Sequence, residues 1–180
     1  CDKYGSLLIF DEVQCGLGRT GHIWSNEPYN IKPDLMTLAK PLAGGLPIGG
    51  ILVSDRVNRE VPRENWLGMH GTTFGGSPLV CSAAEVVLNR IDKPSFMNNV
   101  RAAGKVLIEG LLKIQKSYPD LLIQVRRPIG DQGLFAGLEL SSPAAPVIKY
   151  CLDNGLIVIS AGDTGKIIRI CPPLIITPEQ

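Results

Sequence analysis

Residues 7–21 read LLIFDEVQCGLGRTG and residues 34–50 read DLMTLAKPLAGGLPIGG. In each, a short apolar run ends at a group that carries chemistry: residues 7–10 at the carboxylate of Asp11, residues 35–39 at the amine of Lys40. A β-prone run of this length that stops at a charged residue reads as a buried strand delivering that side chain to its end. Ligands of open α/β sheets sit outside the carboxyl ends of such strands. Asp11 and Lys40 are therefore expected to face one ligand on an α/β fold.

The flanking residues fit that reading. Gly16, Gly18 and Gly21 make a loop that can pass close to a ligand, and Pro41 biases Lys40 away from helix toward an extended conformation. Residues 51–53 predict a third strand, and residues 55–69 a charged, irregular surface stretch. Ser77 before Pro78 reads as an N-cap followed by proline at the first helical position, with Leu79, Ala83, Val86 and Ile91 as the apolar face. Turn residues at 92–95 mark a domain boundary, giving domains at 1–93 and 94–180. Beyond it Phe96, Val100, Ala103, Leu107, Leu111 and Ile114 recur at helical steps. Strands are expected over 121–125, over 134–140 and near Ile157 and Ile168, with a helix over 144–154 closed by Gly155. The second part thus reads as a small α+β domain.

An amine that bonds to an aldehyde cofactor, and an aspartate that keeps the cofactor's ring nitrogen protonated, are the protein parts that make pyridoxal phosphate an electron sink. With these residues in place, the opening stretches resemble the cofactor-binding core of the class III pyridoxal-phosphate aminotransferases. Further blocks match in the family's order: HGTTFGGSPLVCSAAEVVLNRI from His70, GLFAGLEL from Gly133, NGLIVISAG from Asn154 and IIRICPPLIIT from Ile167. The resemblance implies the fold type I architecture of pyridoxal-phosphate transferases, with part of the large cofactor domain followed by a truncated small domain. Within the family it is greatest to the acetylornithine type of fungal mitochondria. That type moves an amino group between N-acetylornithine and 2-oxoglutarate in arginine biosynthesis, and ornithine aminotransferases are the alternative.

What the resemblance implies for single residues follows. Lys40 is the Schiff-base lysine and the base that moves a proton at the substrate's Cα; burial beside glycine-rich backbone would favour its neutral form. Asp11 is the partner of the ring nitrogen, where its plain alternative is an exposed acid at a strand end. Gln14 contacts the ring hydroxyl. Thr73 reaches the phosphate held by a neighbouring subunit, which implies a homodimer with shared sites; otherwise it is a turn residue before the helix. Arg169 binds a substrate carboxylate through its planar fork, with a structural salt bridge as the rival. Glu12 is structural, Arg19 carries no chemistry, and His70 is a loop residue.

Composition narrows the classes. The chain has 180 residues, 44% hydrophobic and 19% charged, with a formal net charge of +1, too small and too scattered to imply a nucleic-acid or anionic-membrane partner. Cys1, Cys15, Cys81, Cys151 and Cys171 show no metal or redox spacing and read as thiols of a reducing compartment. No apolar run reaches membrane length. The mitochondrial matrix is implied by resemblance alone, with the cytoplasm as alternative.

Some of the family pattern lies outside these residues: a Gly-Ser/Thr phosphate cup, a ring-stacking aromatic and often a second arginine. Ser77 stands where many relatives have asparagine. The chain reads as cut at both ends, so a catalytically silent piece that needs its missing half is the rival of another class. Residues 16–21 do not read as a dinucleotide fingerprint, because they follow a carboxylate-bearing loop rather than opening a helix directly after the strand.

Overall fold

The structure, a computed structural model, describes residues 1–62, 64 and 71–180. His70 and residues 63 and 65–69 of the stretch read as charged surface lie outside the described residues. The chain divides into two compact units, Cys1–Leu17 with His22–Lys93, and Gly18–Gly21 with Pro94–Gln180.

The first unit is built on a three-stranded sheet, β1 (Ile9–Asp11), β2 (Leu35–Leu38) and β3 (Gly50–Val53), in the order β1-β2-β3. β1 and β2 run parallel with Asp11 opposite Thr37, and β3 returns antiparallel to β2. The parallel pair is what matters for a site, because parallel strands present their carboxyl ends at one edge. Asp34 secures the pair's start: its Oδ2 accepts the Leu8 amide at 2.9 Å and its carbonyl accepts the Ser54 amide at 2.8 Å.

After β2 the chain turns through a 3₁₀ segment, Lys40–Ala43, whose Leu42 and Ala43 are buried. The expectation of an extended Lys40 is corrected here. Its φ is +30°, in the region that side-chain-bearing residues avoid, because the chain must enter a tight turn at once and Pro41 fixes only its own φ. A short helix α1 (Asp55–Glu60) forms where the sequence read as irregular; Asp55 in its first turn and Arg59 in its last complement the helix dipole.

Helix α2 (Pro78–Ile91) packs on the Lys40–Ala43 turn. Ser77 occupies the N-cap position but its side chain makes no cap hydrogen bond. The buried face is Val80, Ala84 and Ile91, whereas Leu79 and Val86, read as part of that face, are exposed. Apolar residues at 79, 80, 83, 84, 86, 87 and 88 cover more than one side of this helix, so its periodicity admits two faces.

The second unit is an antiparallel sheet of β4 (Leu122–Arg126), β5 (Ala136–Leu140), β6 (Ile159–Ala161) and β7 (Ile167–Ile170) in the order β4-β5-β7-β6. Helix α3 (Pro94–Ser117) packs on β4, and α4 (Ala145–Asp153) lies against β6. Ile108 and Leu111 of α3 join Leu122, Val125, Ala136, Leu140 and Ile168 in the core. Val100, Ala103 and Leu111 are buried as the pattern predicts; Met97 and Ile108 fill places assigned to Phe96 and Leu107, which are half-buried, and Ile114 is exposed.

The loop residues Gly18–Gly21 belong to this unit, not to the strand they follow in sequence. Arg19 donates from Nη1 to the carbonyls of Leu134 at 2.9 Å and Pro172 at 2.6 Å, and its own carbonyl accepts the Leu134 amide at 3.0 Å. Gly133 approaches so closely that a Cβ there would lie 2.8 Å from Thr20 Cα. Among the described residues no helix is long and apolar enough to cross a membrane.

Candidate active site

Asp11 is the last residue of β1, and Lys40 follows β2 by two positions, so the parallel register sets both at the same sheet edge. The turn after Asp11 brings Gln14 into reach: Lys40 Nζ donates to Gln14 Oε1 at 3.2 Å. Asp11 Oδ1 accepts the Val13 amide at 3.0 Å and the Thr37 hydroxyl at 3.0 Å. The Val13 amide and then the Thr37 hydroxyl hold the Asp11 carboxyl below the usual aspartate range, burial opposing them and the charge of Lys40 adding to them. Acid, amide and amine therefore converge.

Glu12 faces the other way and is buried, at 1% exposure. Its Oε1 accepts the Ser25 amide at 3.0 Å and also the Ser25 hydroxyl, while its amide donates to the Thr37 carbonyl at 3.0 Å. The Gly16 amide closes the turn on the Glu12 carbonyl at 3.1 Å. Gln14 thus sits inside a loop pinned at both ends. Neither Thr37 nor the Ser25 partner of Glu12 is singled out by the sequence reading. A hydroxyl opposite the end of β1 is the signal that would have found Thr37, once the two strands are set in register.

Lys40 is exposed, which corrects the burial expected of it. Gly44, Gly45 and Gly49 of the glycine-rich turn beside it are exposed as well, so nothing in this stretch closes over the amine. Thr73 is exposed in the bend before α2, and no hydrogen bond among the described residues joins it to Asp11, Gln14 or Lys40.

In the second unit Arg169 sits on β7 between Gly137 of β5 and Ile159 of β6. It borders a cavity of about 400 Å³ together with Arg126, Arg127, Thr20, Phe135 and Gly162. Arg126 is paired with Glu139 at 2.7 Å and Arg127 with Asp131 at 2.5 Å. Arg169 has no ion pair among the described residues, and its Nε is buried without a hydrogen-bond acceptor. A buried donor left unmet is costly, so the cavity is chemically suited to an anion. The structural salt bridge weighed for Arg169 is absent among the described residues.

Comparison with known proteins gives one answer. The family model described as aminotransferase class-III matches residues 1–180. The chain is 46% identical over 183 residues to a probable mitochondrial acetylornithine aminotransferase of Dictyostelium discoideum, covering 100% of this chain and 38% of that protein. It is 48% identical over 180 residues to the mitochondrial acetylornithine aminotransferase of Alnus glutinosa, again covering 100% of this chain and 38% of the relative. Among solved structures it is similar to an ornithine aminotransferase of Plasmodium yoelii, with a TM-score of 0.86 and 34% identity over 100% of this chain and 46% of that one. It is similar also to an N-acetylornithine aminotransferase of Stenotrophomonas maltophilia, with a TM-score of 0.81 and 31% identity over 99% of this chain and 44% of that one. The chain thus spans 38% of the length of these curated relatives.

Proposed function

Because the chain belongs to the class III aminotransferases, whose members are in general pyridoxal-phosphate enzymes, we propose that it serves an enzyme moving an amino group between N-acetylornithine and 2-oxoglutarate with that cofactor. The observation that carries the reading is the meeting of Asp11, Gln14 and Lys40 at the shared carboxyl edge of β1 and β2. The donor set fits the group: a carboxylate kept ionised for a protonated ring nitrogen, an amide for a ring hydroxyl, and an amine for an aldehyde.

When bound, pyridoxal phosphate supplies the aldehyde that carries the amino group and the ring that draws electrons from the substrate's Cα bond. The chain's own residues do the rest. Asp11 holds the ring nitrogen's proton through charge, with Oδ1 already fixed by two donors. Lys40 would anchor the cofactor and move a proton at the substrate's Cα, and Gln14, whose Oε1 lies 3.2 Å from the Lys40 Nζ, would meet the ring hydroxyl. Arg169 takes a substrate carboxylate, which its unmet Nε favours over a structural role. Thr73 reaches the phosphate held by a second subunit, so the active form is a homodimer.

Relatives whose names carry "mitochondrial" support a matrix location, with the cytoplasm as the alternative. The ornithine aminotransferases among the structural neighbours keep that substrate as the second reading. The exposure of Lys40 and the 38% span favour, as a reading of another class, a piece that is silent without the remainder of the enzyme. Borohydride treatment of the cofactor-treated full-length protein, followed by peptide mass spectrometry, is expected to find the cofactor on Lys40; an unmodified Lys40 would refute the assignment. Initial rates on acetylated against free ornithine decide the substrate.

A further inference from the structure

We propose that Thr37 is a positioning residue for the cofactor ring: with the Val13 amide it occupies one oxygen of Asp11, so that the other is presented to the ring nitrogen in a fixed direction. The inference rests on the aminotransferase reading above. Asp11 and Thr37 are register partners on the parallel strands β1 and β2. The Thr37 hydroxyl and the Val13 amide both donate to Oδ1, each at 3.0 Å, and no donor from the described residues is assigned to Oδ2.

An aspartate's carboxylate torsion is broad and two-fold when nothing restrains it, and Asp11 is exposed. Two donors on one oxygen remove that freedom, because rotation breaks both bonds at once. Both bonds are charge-assisted. Thr37 also accepts the Glu12 amide at its carbonyl, at 3.0 Å, so it grips residue 11 by side chain and residue 12 by main chain. Its own strand then runs directly into the Lys40 turn. One residue thus sets the carboxylate and borders the amine. Valine would suit the strand equally well, so the hydroxyl is the part of Thr37 that packing does not require.

The test is equilibrium binding to the full-length protein stripped of cofactor, using two ligands: pyridoxal phosphate and its analogue with carbon in place of the ring nitrogen. Thr37→Val is expected to weaken pyridoxal phosphate roughly fivefold, the order of a typical hydrogen bond's net contribution, and to leave the analogue unchanged. Thr37→Ser keeps the hydroxyl and is expected to restore wild-type binding. Equal weakening of both ligands would overturn the proposal, since that is how plain structural damage behaves. So would no weakening of either, or a serine variant as weak as the valine one. Wild-type protein that binds neither ligand would overturn the aminotransferase reading and this inference with it.

Discussion

Lys40 combines the amine proposed to carry the chemistry with a strained backbone. A φ of +30° on a non-glycine residue stores on the order of 1–3 kcal/mol and persists only where its surroundings hold it. Two substitutions separate these properties. Lys40→Ala is expected to lower kcat roughly a hundred- to ten-thousand-fold by removing the proton-transferring group. Lys40→Gly is expected to be as inactive yet more stable than Lys40→Ala by about 1 kcal/mol, read by thermal denaturation, because glycine relieves the strain. Asp11 gives the pH dependence. Its carboxyl is held below the usual aspartate range in the folded state, so the unfolded chain binds the extra proton first. The stabilisation from ionised Asp11 is therefore complete above the unfolded value and is lost as pH falls through the folded one. An NMR titration of Asp11 is expected to find its midpoint below the usual range, and Thr37→Val to move it up. At this scale the sequence was informative where chemistry is local in the chain. Asp11 and Lys40 stand out against apolar runs, whereas Gln14 is a polar loop residue that only the family resemblance picks out. Thr37 does not, since a hydroxyl on a β-branched side chain reads as ordinary strand composition, and the positive φ of Lys40 runs against the rule for residues that precede proline.

Elements were legible in kind and less so in facing. Helix α3 follows its period, yet the stripe that reaches the core is Val100, Ala103, Ile108 and Leu111 rather than the line through Leu107 and Ile114. The difference has a measurable size. Ile108→Ala is expected to destabilise by about 2–5 kcal/mol in denaturant unfolding, as for other fully buried aliphatic positions. Ile114→Ala, exposed on the same helix, is expected to cost well under about 1 kcal/mol. Helix α2 shows the same ambiguity more strongly, because apolar residues on several sides let two faces compete until the Lys40–Ala43 turn selects one. The loop after β1 carries a sharper constraint. A Cβ on Gly16 would lie 2.9 Å from the Glu12 carbonyl oxygen and 3.0 Å from Glu12 Cβ, both in a buried turn. Gly16→Ala is expected to cost about 1–3 kcal/mol and, by displacing Gln14, to weaken cofactor binding in the same variant. The glycines of this loop were visible in sequence; what they pack against was not.

The whole molecule offers a test of the shared-site proposal that neither residues nor elements can. If Thr73 serves the neighbouring subunit, Lys40→Ala and Thr73→Ala protomers are each defective alone. A mixed dimer still contains one intact site, formed by Lys40 of one protomer and Thr73 of the other. Equal amounts refolded together are expected to recover roughly a quarter of wild-type activity, since half the dimers are mixed and each has one working site of two. Recovery no greater than the sum of the parents would show that Thr73 acts within its own subunit. Residues 16–21 read as a single glycine-rich loop, but Gly18–Gly21 associate with the second unit through Arg19, a contact between positions 19, 134 and 172 that no local pattern announces.

That four-residue excursion limits how the gene can be recombined. A chimera that takes residues 94–180 from an ornithine-type relative would leave the Leu134 and Pro172 carbonyls to a foreign arginine loop, whereas transplanting Gly18–Gly21 along with it carries the matching plug. The C-terminal half is not a portable cassette; its smallest heritable unit is written in two places.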